Sequence, residues 1–531
     1  MLNLLLFSCA RVGAPNGGTR DSLAPKFLGS NIDTTRLNVS RTVKELRLDF
    51  DEYVMLKDFN KNFNVSPPIK KIKKVIPSNL ANKYVLIQWE DTLQANTTYN
   101  FNFGNAIVDN NESNPLPYFN FAFSTGDKID DLFVSGTVKD AMTLIKENQT
   151  AKDNKMVVGL YKAGENLDYK QKPDYITKVD EENYFELNFL PKGEFVIIAF
   201  DDENQNSVYD AGKEKVSFLK EKITLDSTSV RGLKLKLYPS KKVVKYKESK
   251  AINGGLLMTF EGNPETVDVK SLSEDLKDFK VTHAKRSDSV NIWFDAEKSN
   301  LGGTVSKQLK LSYFTPTISD TISVSYKAVK DEFKLSNEAG NLIAPENNFV
   351  INTSLPIENL NTSSWKLESD SIAQDFTAKI SEKNPFKILV NSSFKPTKKY
   401  VLTIPKETVS SYYSSNDKSF QFQFEIDKPE NYGSFTAVIK NKPTAKFWVE
   451  LTNEKGEILY SQFTNASEVS VKNLKTATYI ARIRVDNNGN GFWDEADFAQ
   501  NIAAEDVYIF EKEINVRPLW EIKEDWELTN H

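Results

Sequence analysis

The chain has 531 residues, 39% apolar and 27% charged, which is globular, too long for one core and enough for roughly three to five domains. Its net charge of −5 comes from 68 basic and 73 acidic residues mixed along the chain, so no basic stripe marks it for nucleic acid. Two histidines, His283 and His531, and one cysteine, Cys9, exclude a disulfide framework and leave little for zinc or histidine acid–base chemistry.

At the N-terminus, "LLLFSC" places an apolar run and then Ser8 before Cys9. This resembles a bacterial lipobox, which implies a diacylated Cys9 and membrane attachment by lipid alone. Phe7 is larger than the usual residue and no basic segment precedes the run; a misplaced start codon accounts for both. "ARVGAPNGGTRD" then reads as a flexible tether, making residues 1–20 a signal remnant and tether. No later stretch approaches the eighteen or so apolar residues of a membrane span.

Strand signals follow. "ELRLDFDEYV", "TTYNFNFGNAIVD" and "YFNFAFSTG" alternate apolar and polar residues, and Gly, Asn and Asp punctuate the gaps. The predicted class is all-β: tandem Ig-like and prealbumin-like (carboxypeptidase-regulatory-like) β-sandwiches. The stretches "DSLAPKFLGSNID", "LDFDEYV", "VSPPIK", "DTLQANTTYNFNFGNAIVDNNESNPL" and "FNFAFSTG" set off residues 21–128. In order and spacing they resemble the SbsA-type bacterial Ig-like domain at the N-terminus of a family of Ig-like-domain lipoproteins of Bacteroidota. The resemblance implies a fold and a location more than an activity. "DNNESN" within it reads as a hairpin loop.

Residues 129–240 carry "FVSGTVKDA", "VVGLYK", "YFELNFLPKGEFVIIAFDDENQNSVYDAGKE" and "RGLKLKLYP", which resemble a prealbumin-like sandwich. Residues 250–335 read as a further sandwich and 336–428 as an Ig-like one. "FKPTKKY" at Phe394–Tyr400 echoes "LQANTTY" at Leu93–Tyr99. Residues 429–527 repeat the second unit: "LKTATYIARIRVDNNGNGFWDEAD" aligns without a gap on "LPKGEFVIIAFDDENQNSVYDAGK".

The repeat centres on an acidic turn. Asp486, Asn488 and Asn490 alternate, Gly491 follows, and Asp494 and Asp497 come after. With the carbonyl of Phe492, these occupy positions one, three, five, seven, nine and twelve of a calcium loop. A metal-free Asx turn explains the glycines, but not the alternating oxygens, so structural calcium is the favoured reading. The second unit has a weaker copy in Asp202, Asn204, Asn206 and Asp210. There Ser207 replaces the glycine, Lys213 stands where Asp497 would be, and Glu214 is the substitute acid.

The tryptophans, such as Trp89, Trp293 and Trp448, lie in alternating strands and are expected in cores. No nucleophile elbow, phosphate loop or metal-histidine spacing appears. The expected protein is non-catalytic and lipid-anchored in the outer membrane, facing the cell surface, with the periplasmic face as the alternative. It is a long, semi-rigid scaffold for outer-membrane or cell-surface proteins, such as an accessory subunit of an assembly or secretion complex. A surface glycan-binding lipoprotein is the alternative, and it requires exposed coplanar aromatics on one domain face.

Overall fold

The computed structural model describes residues 21–144, 155–164, 167–329, 332–338 and 340–528. Cys9 lies outside them. The described chain is almost entirely strand. Its buried apolar side chains gather into cores spanning residues 32–123, 132–237, 256–326, 293–426 and 435–528. Each core lies between paired antiparallel-dominated sheets, the two-layer solution for strands with one apolar face. The alternation is realised residue by residue: Leu46, Leu48 and Phe50 of Glu45–Leu56 turn inward toward Phe101 and Phe123.

The chain divides into two compact units. Unit 1 holds the first two cores. There the strand Asn64–Ser66 of the first sandwich meets the second, and Ser66 Oγ accepts the Ile176 N–H at 3.1 Å. Unit 2 holds the other three, which touch pairwise. Trp293 of the third packs into the fourth core, 6.0 Å from the Phe386 ring. Asn473 of the fifth donates to the Pro345 carbonyl of the fourth at 2.7 Å. Arg286 of the third pairs with Asp494 of the fifth at 2.7 Å. Within unit 2 the sandwiches thus meet through an aromatic contact, a neutral hydrogen bond and an ion pair.

The second and fifth sandwiches share one topology. In the second, the strands are β1 (Leu132–Asp140), β2 (Met156–Lys162), β3 (Tyr175–Lys178), β4 (Tyr184–Leu190), β5 (Gly193–Asp201), β6 (Val216–Phe218), β7 (Ile223–Leu225) and β8 (Val230–Leu237). In the fifth they are β9 (Gly433–Lys440), β10 (Phe447–Thr452), β11 (Ile458–Thr464), β12 (Glu468–Leu474), β13 (Ala477–Val485), β14 (Val507–Ile509), β15 (Ile514–Val516) and β16 (Glu521–Glu527). The sheets run β4-β1-β8 and β3-β2-β5-β6, with β7 also on β5. Their counterparts run β12-β9-β16 and β11-β10-β13-β14, with β15 also on β13. The sequence repeat is thus a repeat of the whole sandwich.

The shorter echo is structural too. The Tyr99 hydroxyl accepts the Gln94 N–H at 2.9 Å, and the Tyr400 hydroxyl accepts the Lys395 N–H at 2.8 Å. Each ties a corner five residues upstream, as tyrosine corners of Ig-type sandwiches do.

Candidate functional site

β5 and β13 each run into a corner of the same build, one in each sandwich. In the fifth sandwich Asp486 is buried. Its two carboxylate oxygens accept the Asn490 and Gly491 N–H groups, each at 3.0 Å. Asn488 Oδ1 accepts the Asn490 N–H at 3.0 Å, and Asn490 Oδ1 accepts that of Phe492 at 2.8 Å. In the second sandwich Asp202 takes the Asn206 and Ser207 N–H groups at 3.0 Å each. Asn204 takes that of Asn206 at 3.0 Å, and Asn206 takes that of Val208 at 2.6 Å. The backbone repeats as well: Gly489 and Gly491 have φ of 72° and 81°, and Gln205 and Ser207 have 58° and 61°. Position six needs a left-handed residue, which glycine adopts freely and serine only with strain.

The alternating oxygens are therefore engaged by backbone N–H groups, and the side chains at positions three, five and nine meet one another. Asn488 and Asn490 point their amide NH2 groups at Asp494 Oδ2, at 2.6 and 2.7 Å, and Asn204 does the same to Asp210 at 2.7 Å. Asp497 is not brought in; its carboxylate caps its own turn by accepting the Gln500 N–H at 3.2 Å. Among the described residues no group of three or more His, Cys, Asp or Glu side chains is arranged to hold a metal. In this geometry the turn is closed on itself: the Asn488 and Asn490 NH2 groups meet on Asp494, and Asp494 also faces a guanidinium.

That guanidinium belongs to Arg286. Nη1 lies 2.7 Å from Asp494 Oδ1, Nε lies 2.5 Å from Glu265, and the group sits 4.6 Å from the Phe492 ring centroid. Burial works to raise the Asp494 carboxyl, but the amides of Asn488 and Asn490 and the Arg286 charge outweigh it and hold its pKa below the usual range. A second residue that sequence reasoning missed is Glu505. It is buried, and its two oxygens take the Asn488 and Asp494 N–H groups at 3.1 and 2.9 Å, pinning the turn from behind. Burial raises its pKa, against these hydrogen bonds. Glu214, also buried, stands two residues before β6 as Glu505 stands two before β14. The corner ends by gripping the segment before the third sandwich: Ala496 N–H donates to Pro239 O at 3.0 Å, and Lys241 N–H donates to Ala496 O at 2.8 Å.

The tryptophans divide. Trp89 and Trp293 are core residues, as expected. Trp448 is not: Phe447 and Val449 take the inner face of β10, so the pleat turns Trp448 outward. There it stacks on Phe463 of β11, with centroids 4.4 Å apart, and Arg484 of β13 lies 5.8 Å from its ring. On the same face Glu450, fully buried, is held by Arg482 at 2.6 Å and Arg484 at 2.5 Å. Such a pair is costly to break because either partner alone would be a buried charge.

Comparison with known proteins bears on the first sandwich. Residues 21–125 match the family model of a bacterial Ig-like domain. The bacterial Ig-like domain thus accounts for the first core, in line with the resemblance drawn from its sequence stretches. No curated protein matches the chain. Solved structures found by likeness include the S-layer protein SbsC, at 12% identity over 93% of this chain and 67% of that one, TM-score 0.15. They also include the Bacteroides ovatus mixed-linkage glucan utilization locus protein SGBP-B in complex with a mixed-linkage heptasaccharide, at 9% identity over 74% and 97%, TM-score 0.20. A third is native E. coli alpha-2-macroglobulin, at 9% identity over 93% and 34%, TM-score 0.14. Scores this low do not establish a shared fold. No helix of the described residues is long and apolar enough to cross a membrane.

Proposed function

We propose that this chain is a non-catalytic cell-envelope scaffold, lipid-anchored through Cys9 in the outer membrane, whose sandwiches present binding surfaces to outer-membrane or cell-surface proteins. Its place is as an accessory subunit of an assembly or secretion complex. The sandwiches are those of residues 21–128, 129–240, 250–335, 336–428 and 429–527. The observation that carries the reading is the use made of the densest polar constellation in the sequence. The corner Asp486–Asp494 bonds its carboxylates to its own backbone and to Arg286 of a neighbouring sandwich, which supports a role in fixing a joint. A surface-acting protein needs such joints, since its binding faces must keep their relation to one another.

The glycan-binding alternative gains less support. The stacked pair Trp448–Phe463 meets its demand for aromatics on one face. However, the rings cover each other, and Lys446 at 5.6 Å from Phe463 and Arg484 at 5.8 Å from Trp448 face the stack. A sugar stacks on a free ring face. Purification of the anchored chain from its native membrane tests the proposal. A stoichiometric envelope protein should accompany it, and recovery of the chain alone would refute it.

A further inference from the structure

The repeat allows one sandwich to be read against the other. In the second, β3 is an edge strand, and its edge is not free. Ile176 lies directly opposite Gly159 of β2, yet its N–H turns away from β2 to Ser66 Oγ of the first sandwich, at 3.1 Å. Ile176 and Gly159 are therefore a non-hydrogen-bonded pair, with the Ile176 peptide groups directed outward. Tyr175 and Ile176 are buried there.

The registers carry this over to the fifth sandwich. Val158 faces Ala199 and Thr177, as Val449 faces Ile483 and Gln462. Ser461 thus occupies the place of Ile176, opposite Glu450, and its N–H and C=O point off the edge of β11. Among the described residues no other strand follows it in the sheet. Around it Ile458, Leu459 and Phe463 are 47%, 55% and 42% exposed.

Natural edge strands are usually guarded by lysine, proline or a short length. β11 is seven residues long, and from Ile458 to Ser467 the chain has neither charge nor proline; its one irregularity is a register shift at Leu459, so the regular edge runs from Tyr460 to Thr464. Its sequence is also self-complementary. Antiparallel pairing of two copies about Ser461 sets Tyr460 opposite Gln462 and, across the register shift at Leu459, brings Ile458 and Leu459 of one copy to Phe463 and Thr464 of the other. Leucine then meets phenylalanine beside Trp448, and Tyr460 meets Gln462 on the other face. Ser461 of each copy would exchange both backbone hydrogen bonds with its mate, the pairing its outward peptide groups permit.

We infer that the β11 edge is a two-fold docking surface for a second copy of this chain, joining two fifth-sandwich sheets through Ser461. The inference rests on the scaffold reading above and makes the scaffold bivalent. Sedimentation equilibrium of the full chain, up to about 100 µM, tests it. The wild type should be a dimer. The double variant Leu459→Lys, Phe463→Lys, which also removes the Trp448–Phe463 stack, should dissociate at least about tenfold more readily, through like charges across the two-fold. Ser461→Pro, which removes the outward N–H at an edge where proline is tolerated, should do the same. Thermal melts of each variant check the fold.

A wild type that stays monomeric, or variants that dimerise as the wild type does, would overturn the inference. So would polysaccharide binding by a monomeric wild type that Phe463→Lys abolishes, since that gives the edge to a glycan. A monomer that still brings an envelope protein out of the membrane would sink the dimer and leave the scaffold standing. A dimer that brings none would do the reverse.

Discussion

Four backbone N–H groups, of Asn111, Glu112, Ser113 and Asn114, converge on the buried carboxylate of Asp109 at 2.7 to 3.2 Å. "DNNESN" is a hairpin loop closed by a single side chain. Burial tends to raise this carboxyl, but the donors outweigh it and its pKa lies below the usual range. Asp109→Ala leaves those donors without their acceptor and should destabilise the first sandwich by about 2–3 kcal/mol in chemical denaturation. The stabilisation is complete above an unfolded-state pKa of about 3.9. It is lost as pH falls through the lower folded value, so the wild-type advantage over the variant should shrink on acidification.

The acidic corner shows what an element requires apart from what its sequence shares. Around Gly491 no atom crowds a Cβ, so only its φ of 81° opposes a side chain there. Gly491→Ala should cost about 1 kcal/mol, and Ser207→Gly should stabilise the second corner by a similar amount. Paired thermal melts check both, and equal melts in either case would deny that the corners are one device. The repeat itself was legible because its residues align without a gap from Leu190 and Leu474 into the turn. Glu505 was not, because the corner takes more residues to reach β14 than to reach β6, and it acts eleven positions after Asp494. Trp448 was misplaced because alternation marks a two-faced strand without saying which face is inner. Its inward neighbours Phe447 and Val449 decide that only once β10 is paired.

At the scale of the molecule, the joints of unit 2 rest on contacts between distant segments. Arg286 and Asp494 are 208 positions apart, and nothing near either announces the other. The all-β class and the positions of strands were readable from local period, whereas a string of oxygens does not reveal which backbone donors will bond to them. Arg286→Ala should remove charge-assisted bonds to Asp494 and Glu265, at a cost of about 1–2 kcal/mol, and lower the melting midpoint of this unit by a few degrees. The claim on which the account turns is that the corner is closed by its own amides and by Arg286. Thermal unfolding of the full chain, wild type and Arg286→Ala, in excess calcium and in excess chelator, tests it most directly. A ligand that binds only the folded state must raise the midpoint. Superimposable wild-type curves in the two buffers and a lowered midpoint in the variant are expected. A wild-type midpoint that rises with calcium would contradict it.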